Sequence, residues 1–282
     1  MSYHSSLSQD SKRTVEEFYQ RSLFWLQVPG TERYRFWETD NPGKPYYHPA
    51  SNVVQFTQAN CLATKAAPDN EAIVEFKTKL YTDSEMSKVS YFEGSYGKFL
   101  SEYLVWIDHL FFFGLITHPT RREGRLVAGQ PIITLATQDH FTDLDGNDLN
   151  GQFFPHAGEV CLGICEPTGE LKAMDKAIAT VVHELVHVYL LVLTRDSSAS
   201  RYFNEVYEFG HGVQFHELLQ FILTRLSLWM PTIPYFGRLA GATRDDLRAA
   251  LARPVVSDDA ARSLIVYDSM PFFAGTVSVE DT

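Results

Sequence analysis

Apolar positions recur at helical spacing over much of the first 118 residues and again beyond residue 170, with a stretch of β-branched, strand-like texture between. Val15, Phe18, Leu23 and Leu26 predict a first helix over residues 10–28, ended by Pro29-Gly30. The following TDNPGKPYYHPASN, residues 39–52, holds three prolines and a glycine and reads as loop. A short helix is predicted over residues 70–80. A longer, aromatic-rich one runs from Tyr91 to Leu115, with Gly94 or Gly97 as a point for a kink and Gly114 and Pro119 as its stop.

QPIITLATQD (130–139) and GEVCLGICEP (158–167) are short, bounded by turn formers and rich in strand-favouring residues, so both predict strands, with DLDGNDLNG as a turn cluster between them. Helical texture returns from about Glu170 to Leu193 and from His211 to about Leu228. The tail beyond Trp229 contains prolines, a helix over 244–252 and an acidic end. The expected class is α+β, with a small sheet packed on the helix after Glu170 and additional helices N-terminal to it. The expected division is an N-terminal, mainly helical extension (1–90), a central domain (91–235) and a C-terminal tail (236–282).

Composition narrows the choice of partners. The 282 residues are 45% hydrophobic and 13% aromatic, enough for a sizeable core, and carry a formal net charge of −11. Such a field repels a phosphate backbone, so nucleic-acid binding by the whole chain is not expected. MSYHSSLSQDSKR lacks the apolar stretch of a secretory signal, and LVWIDHLFFFGLI is interrupted and shorter than the about 18 residues that span a bilayer. The expectation is an intracellular protein, cytoplasmic or nuclear, with no membrane contact. Three cysteines, Cys61, Cys161 and Cys165, are too few for a disulfide framework, and the Cys161/Cys165 pair reads as two small buried thiols. Asp143, Asp145 and Asn147 alternate like the start of a calcium loop. Asp148 stands where that loop needs glycine, however, and Phe154 where it needs glutamate.

The candidate chemistry lies in TVVHELVHVYLL, Thr180 to Leu191. Residues four apart on a helix share a face, so His183 and His187 can offer one imidazole nitrogen each to a single ion, with Glu184 beside it as a general base. Ile178, Val181, Val182, Leu185, Val186 and Val188 make the surroundings apolar. Burying such a polar cluster costs on the order of several kcal/mol unless it has a partner, and Zn²⁺ is a suitable one. Two third ligands are open: His211, set between glycines at the start of the next helix, and Glu205 in RYFNEVYEF. His216 and Glu217 lie further into that helix and are less favoured.

HELVHVYLL followed by GHGVQF resembles the SprT-like (Spartan-type) zinc metalloproteases, whose signature is H-E-x-x-H-A/V-Y-L and a downstream G-H-G-x-x-F. IDHLFFFGLIT is similar to the family's opening helix and turn, and GEVCLGICEP lies where the family places the strand before the active-site helix. The likeness covers about residues 100–228. It implies a zincin-like fold and zinc held by His183, His187 and His211. It also implies Glu184 as the base in peptide hydrolysis by a zinc-bound water, and Phe215 as packing support for the second helix. A peptide or protein substrate would add to an edge strand near GEVCLGICEP. TRDSSASRYFNEVYE lengthens the interval between His187 and His211 beyond the Spartan-like pattern and keeps Glu205 in view as the alternative ligand. No Cys-rich module or basic tail follows, so the family's DNA-directed role is not implied. The other readings are a hydrolase of a small-molecule or biosynthetic substrate, and a non-catalytic zinc-stabilised binding protein closed by a fourth ligand such as Glu205, Glu208 or His216.

Overall fold

The computed structural model describes residues 26–27, 33–34, 49–87, 93–114, 116–117, 121–122, 125–126, 134–142, 149–154, 159–193 and 211–252. Among these the order is β1 (Leu26–Gln27), β2 (Arg33–Tyr34), α1 (Ala50–Asn60), α2 (Leu62–Lys65), α3 (Glu71–Ser87) and α4 (Glu93–Phe111). There follow β3 (Arg121–Arg122), β4 (Arg125–Leu126), β5 (Thr134–Gln138), β6 (Gly151–Phe154), β7 (Glu159–Gly163), α5 (Met174–Leu193), α6 (Val213–Trp229) and α7 (Pro234–Ala252). The class is α+β, as the alternation of periods in the sequence implies.

α5 is the centre of the molecule. Val181, Val182, Leu185, Val186, Val188 and Tyr189 are inaccessible to solvent, because a helix apolar on nearly every side is stable only when other elements cover it. α4, α6 and α1 pack on it, and β6 and β7 close a further side. Tyr189 fixes two of these contacts: its ring lies 4.7 Å from that of Phe112, and its hydroxyl is 2.9 Å from Thr57 Oγ1 on α1. Val53, Phe56, Ile73 and Phe76, from the segment expected as an extension, join the same buried cluster as α5 and α6. The expected boundary at 235/236 falls within α7, which runs along α6.

The three-stranded sheet has the order β5-β7-β6, with β5 parallel and β6 antiparallel to β7. GEVCLGICEP therefore supplies the central strand, with β5 and β6 as the outer strands of the described sheet and β6 the one on the Thr180–Glu184 side of α5. The last residue of the expected turn cluster, Gly151, is the first residue of that edge strand. Gly163 N–H donates to the Asn150 carbonyl at 3.0 Å. Bonded positions alternate in an antiparallel ladder, so Gln152 and Phe154 turn their backbone groups to β7, while Gly151 and Phe153 turn theirs to the outer side, where no strand among the described residues pairs.

Other expectations are corrected in detail. Leu26–Gln27, read as the end of a helix, pairs with Arg33–Tyr34 as antiparallel strand, which the intervening Pro29-Gly30 turn signal favours; residues 10–25 lie outside the described residues. The loop expected over 39–52 gives way to α1 at Ala50, after Pro49, whose fixed φ suits a helix start. The helix expected over 70–80 continues to Ser87, and the one expected over 244–252 begins at Pro234, where a proline needs no intrahelical donor. Cys161 is buried but Cys165 is partly exposed, and neither is in a disulfide. The calcium-like Asp143, Asp145 and Asn147 lie outside the described residues.

α4 ends on a built turn. Phe112 and Gly114 N–H both donate to the Asp108 carbonyl, at 2.7 and 3.1 Å. Phe113 and Gly114 adopt φ of 65° and 71°, the left-handed region that closes helix C-termini. The fully buried Asp108 carboxyl accepts from Thr117 N–H and Thr117 Oγ1–H, both at 2.6 Å, and from Ile116 N–H at 3.2 Å. No helix among the described residues is long and apolar enough to cross a membrane.

Candidate metal centre

His183 and His187 stand one turn apart on α5, and His211 enters from the residue before Gly212, the N-cap of α6. Gly212 is extended (φ −72°, ψ 179°), so the chain turns into α6 immediately after presenting the imidazole. The three Nε2 atoms form a nearly equilateral triangle: 3.2 Å from His183 to His187, 3.1 Å from His187 to His211 and 3.0 Å from His211 to His183.

Three imidazole nitrogens this close cannot all be satisfied by one another, since each neutral ring has a single N–H and needs it to point at one partner. Their lone pairs suit a common cation. A metal ion about 2.0–2.1 Å from each nitrogen fits over the triangle, because tetrahedral coordination at that distance separates ligands by roughly 3.3–3.4 Å. The set His183, His187 and His211 is the one group of this kind found among the described residues, and no fourth described side chain converges with it. His216 stands off, its ring 6.1 Å from that of His211. Glu205 and Glu208 lie outside the described residues.

The local field favours neutral, ligand-ready rings. Burial, with His211 and His216 adding to it, holds His183 down at about 3. Burial likewise holds His187 well below the ordinary imidazole value and lowers His211. Glu184 is 4% exposed, and burial pushes its carboxyl up to about 8, against the pull of the Phe153 backbone N–H that faces it. A dication among the imidazoles would act in the opposite sense and favour the carboxylate.

Phe215 is more than support for α6. Its ring stacks on His187 at 4.3 Å and lies 4.7 Å from His211 and 4.9 Å from His183, so one buried side chain touches all three imidazoles. Sequence reasoning also missed the sheet's part in the site. The nearest atoms to a side chain built at Gly151 would belong to Leu162, Thr180 and Glu184. The sequence carries only the pair Phe153-Phe154 as a signal, too short to mark a strand after the turn cluster. Comparisons with protein-family models, curated proteins and solved structures find no match.

Proposed function

We propose that this chain is a SprT-like, zincin-fold metallopeptidase that hydrolyses peptide bonds with zinc at His183, His187 and His211 and Glu184 as general base. The observation that carries this reading is the convergence of three Nε2 atoms within 3.2 Å of one another, with no fourth described ligand. Three imidazoles with an open position are a donor set for catalytic zinc, whereas structural sites are closed by a fourth side chain. When bound there, zinc supplies Lewis acidity and a lowered water pKa. Glu184, one residue from His183 and facing the outer side of β6 at Phe153, takes the proton of the attacking water and returns it to the departing amine. With the Phe153 N–H turned to Glu184, the outward-facing N–H and carbonyl of Gly151 and the Phe153 carbonyl are the groups an extended peptide would pair with, which favours a peptide over a compact small molecule.

The test is Glu184→Gln in the full chain, with bound zinc and casein cleavage measured together. Zinc content stays at the wild-type level and cleavage falls by about 10²–10⁴-fold. Retained zinc with undiminished cleavage removes Glu184 from the mechanism, and a wild type that holds zinc yet cleaves no peptide removes the peptidase reading.

A further inference from the structure

Gly151 lies where β6 packs against Thr180 and Glu184 of α5. Its backbone conformation is open to any residue, so space, not φ, is what excludes a side chain. A Cβ there would lie 2.8 Å from Leu162 Cδ2, 2.9 Å from Thr180 Cγ2 and 3.2 Å from Glu184 Cγ. Carbon atoms rest at about 3.5–4.0 Å. The Leu162 methyl ends a flexible side chain and can turn away. Thr180 cannot do so as easily: it is β-branched, and its Oγ1–H donates to the Lys176 carbonyl at 3.1 Å. Relief must therefore come from β6 moving off α5, or from Glu184 swinging aside.

We infer that Gly151 is a positioning residue for Glu184: its missing side chain lets the β6 edge close on α5 and leaves the Glu184 side chain one place to lie, beside the imidazole triangle. This rests on the metallopeptidase reading for its catalytic consequence, but the steric coupling between positions 151 and 184 stands independently of it. Phe153, two residues along the same strand, turns its backbone N–H to the same carboxyl, so β6 sets the base there and leaves Gly151 and the Phe153 carbonyl as the edge for substrate.

The experiment compares Gly151→Ala and Gly151→Ala/Thr180→Ser in the full chain, each with Glu184 and with Glu184→Ala. Bound zinc, melting temperature, and kcat and KM on a peptide are measured. Gly151→Ala keeps its zinc and loses kcat by about tenfold or more, as a small misplacement of a reacting group does, with a smaller change in KM. Thr180→Ser removes the obstructing methyl, keeps the hydroxyl, and restores most of the loss. The melting temperature falls less on Gly151→Ala when residue 184 is alanine, by about 3 °C, because a contact has been taken away. An unchanged kcat, no recovery with Thr180→Ser, or equal melting-temperature losses in both backgrounds overturns the inference. If Gly151→Ala does not fold, Gly151→Ala/Thr180→Ser is compared with Thr180→Ser, with Glu184 and with Glu184→Ala: a melting-temperature loss that is smaller with Glu184→Ala is expected, and equal losses overturn the inference. If no variant and no wild type cleaves peptide, the metallopeptidase reading fails, and the melting-temperature cycle alone decides whether Gly151 positions Glu184.

Discussion

Phe215 stacks on His187, ring centroids 4.3 Å apart and planes 26° from parallel, while the same ring borders His183 and His211. A flat wall against three imidazoles limits their rotation, so the nitrogens converge before any ion arrives. Groups that orient ligands contribute about 10–100-fold to metal affinity in comparable centres. Phe215→Leu, which keeps much of the volume but not the plane, is expected to lower zinc affinity by about tenfold. Competition against a chromophoric chelator measures it; unchanged affinity means that α5 and Gly212 alone set the imidazoles.

The identity of the third ligand is a separate prediction. His211→Ala removes one corner of the triangle and reduces bound zinc to a small fraction of the wild-type level in dialysed protein. Glu205→Ala leaves it unchanged. Metal analysis of the two variants decides between them, since loss of zinc only with Glu205→Ala transfers the role.

How far the sequence reveals this site depends on how local each contact is. His183 and His187 share a helix face by spacing alone and are legible in the chain, whereas the third corner is legible only as a choice between His211, set between glycines at a helix start, and Glu205. Gly151 is not, because its meaning arises from Leu162, 11 positions on, and from Thr180 and Glu184 on another element. The same distinction separates α5, whose apolar run dictates burial, from α1 and α7. Pro49 and Pro234 look like breakers in sequence and act as helix starts only because α1 and α7 have α6 to pack against.

Gly114 provides a test of the turn that ends α4. Its φ of 71° disfavours any side chain, and a Cβ would lie 2.8 Å from His109 Cδ2. Gly114→Ala therefore meets both a backbone penalty and a collision, and is expected to destabilise the protein by about 1–3 kcal/mol. Urea unfolding measures it; a loss below about 0.5 kcal/mol means that the turn relaxes without cost.

Asp108 gives stability a pH dependence of definite sign. Burial pushes its carboxyl up to about 7, although Thr117 and Ile116 donors pull the other way. In the unfolded chain the group releases its proton near pH 4, so between about pH 4 and 7 the folded state binds the extra proton. The stability this contributes is fully present below the unfolded pKa and is lost as pH rises through the folded one. His183 and His187 act oppositely in the metal-free protein: their pKa values are depressed in the fold, so acid below about 6.5 protonates the unfolded imidazoles first and destabilises the fold. The two effects separate in a comparison with Asp108→Asn, which leaves the imidazoles alone. Between pH 5 and 8 the stability difference should move in favour of the asparagine variant, by roughly 2.5 kcal/mol. Urea unfolding of both proteins across that range measures it. A difference that does not vary with pH means that Asp108 stays ionised in the fold, its three donors outweighing its burial.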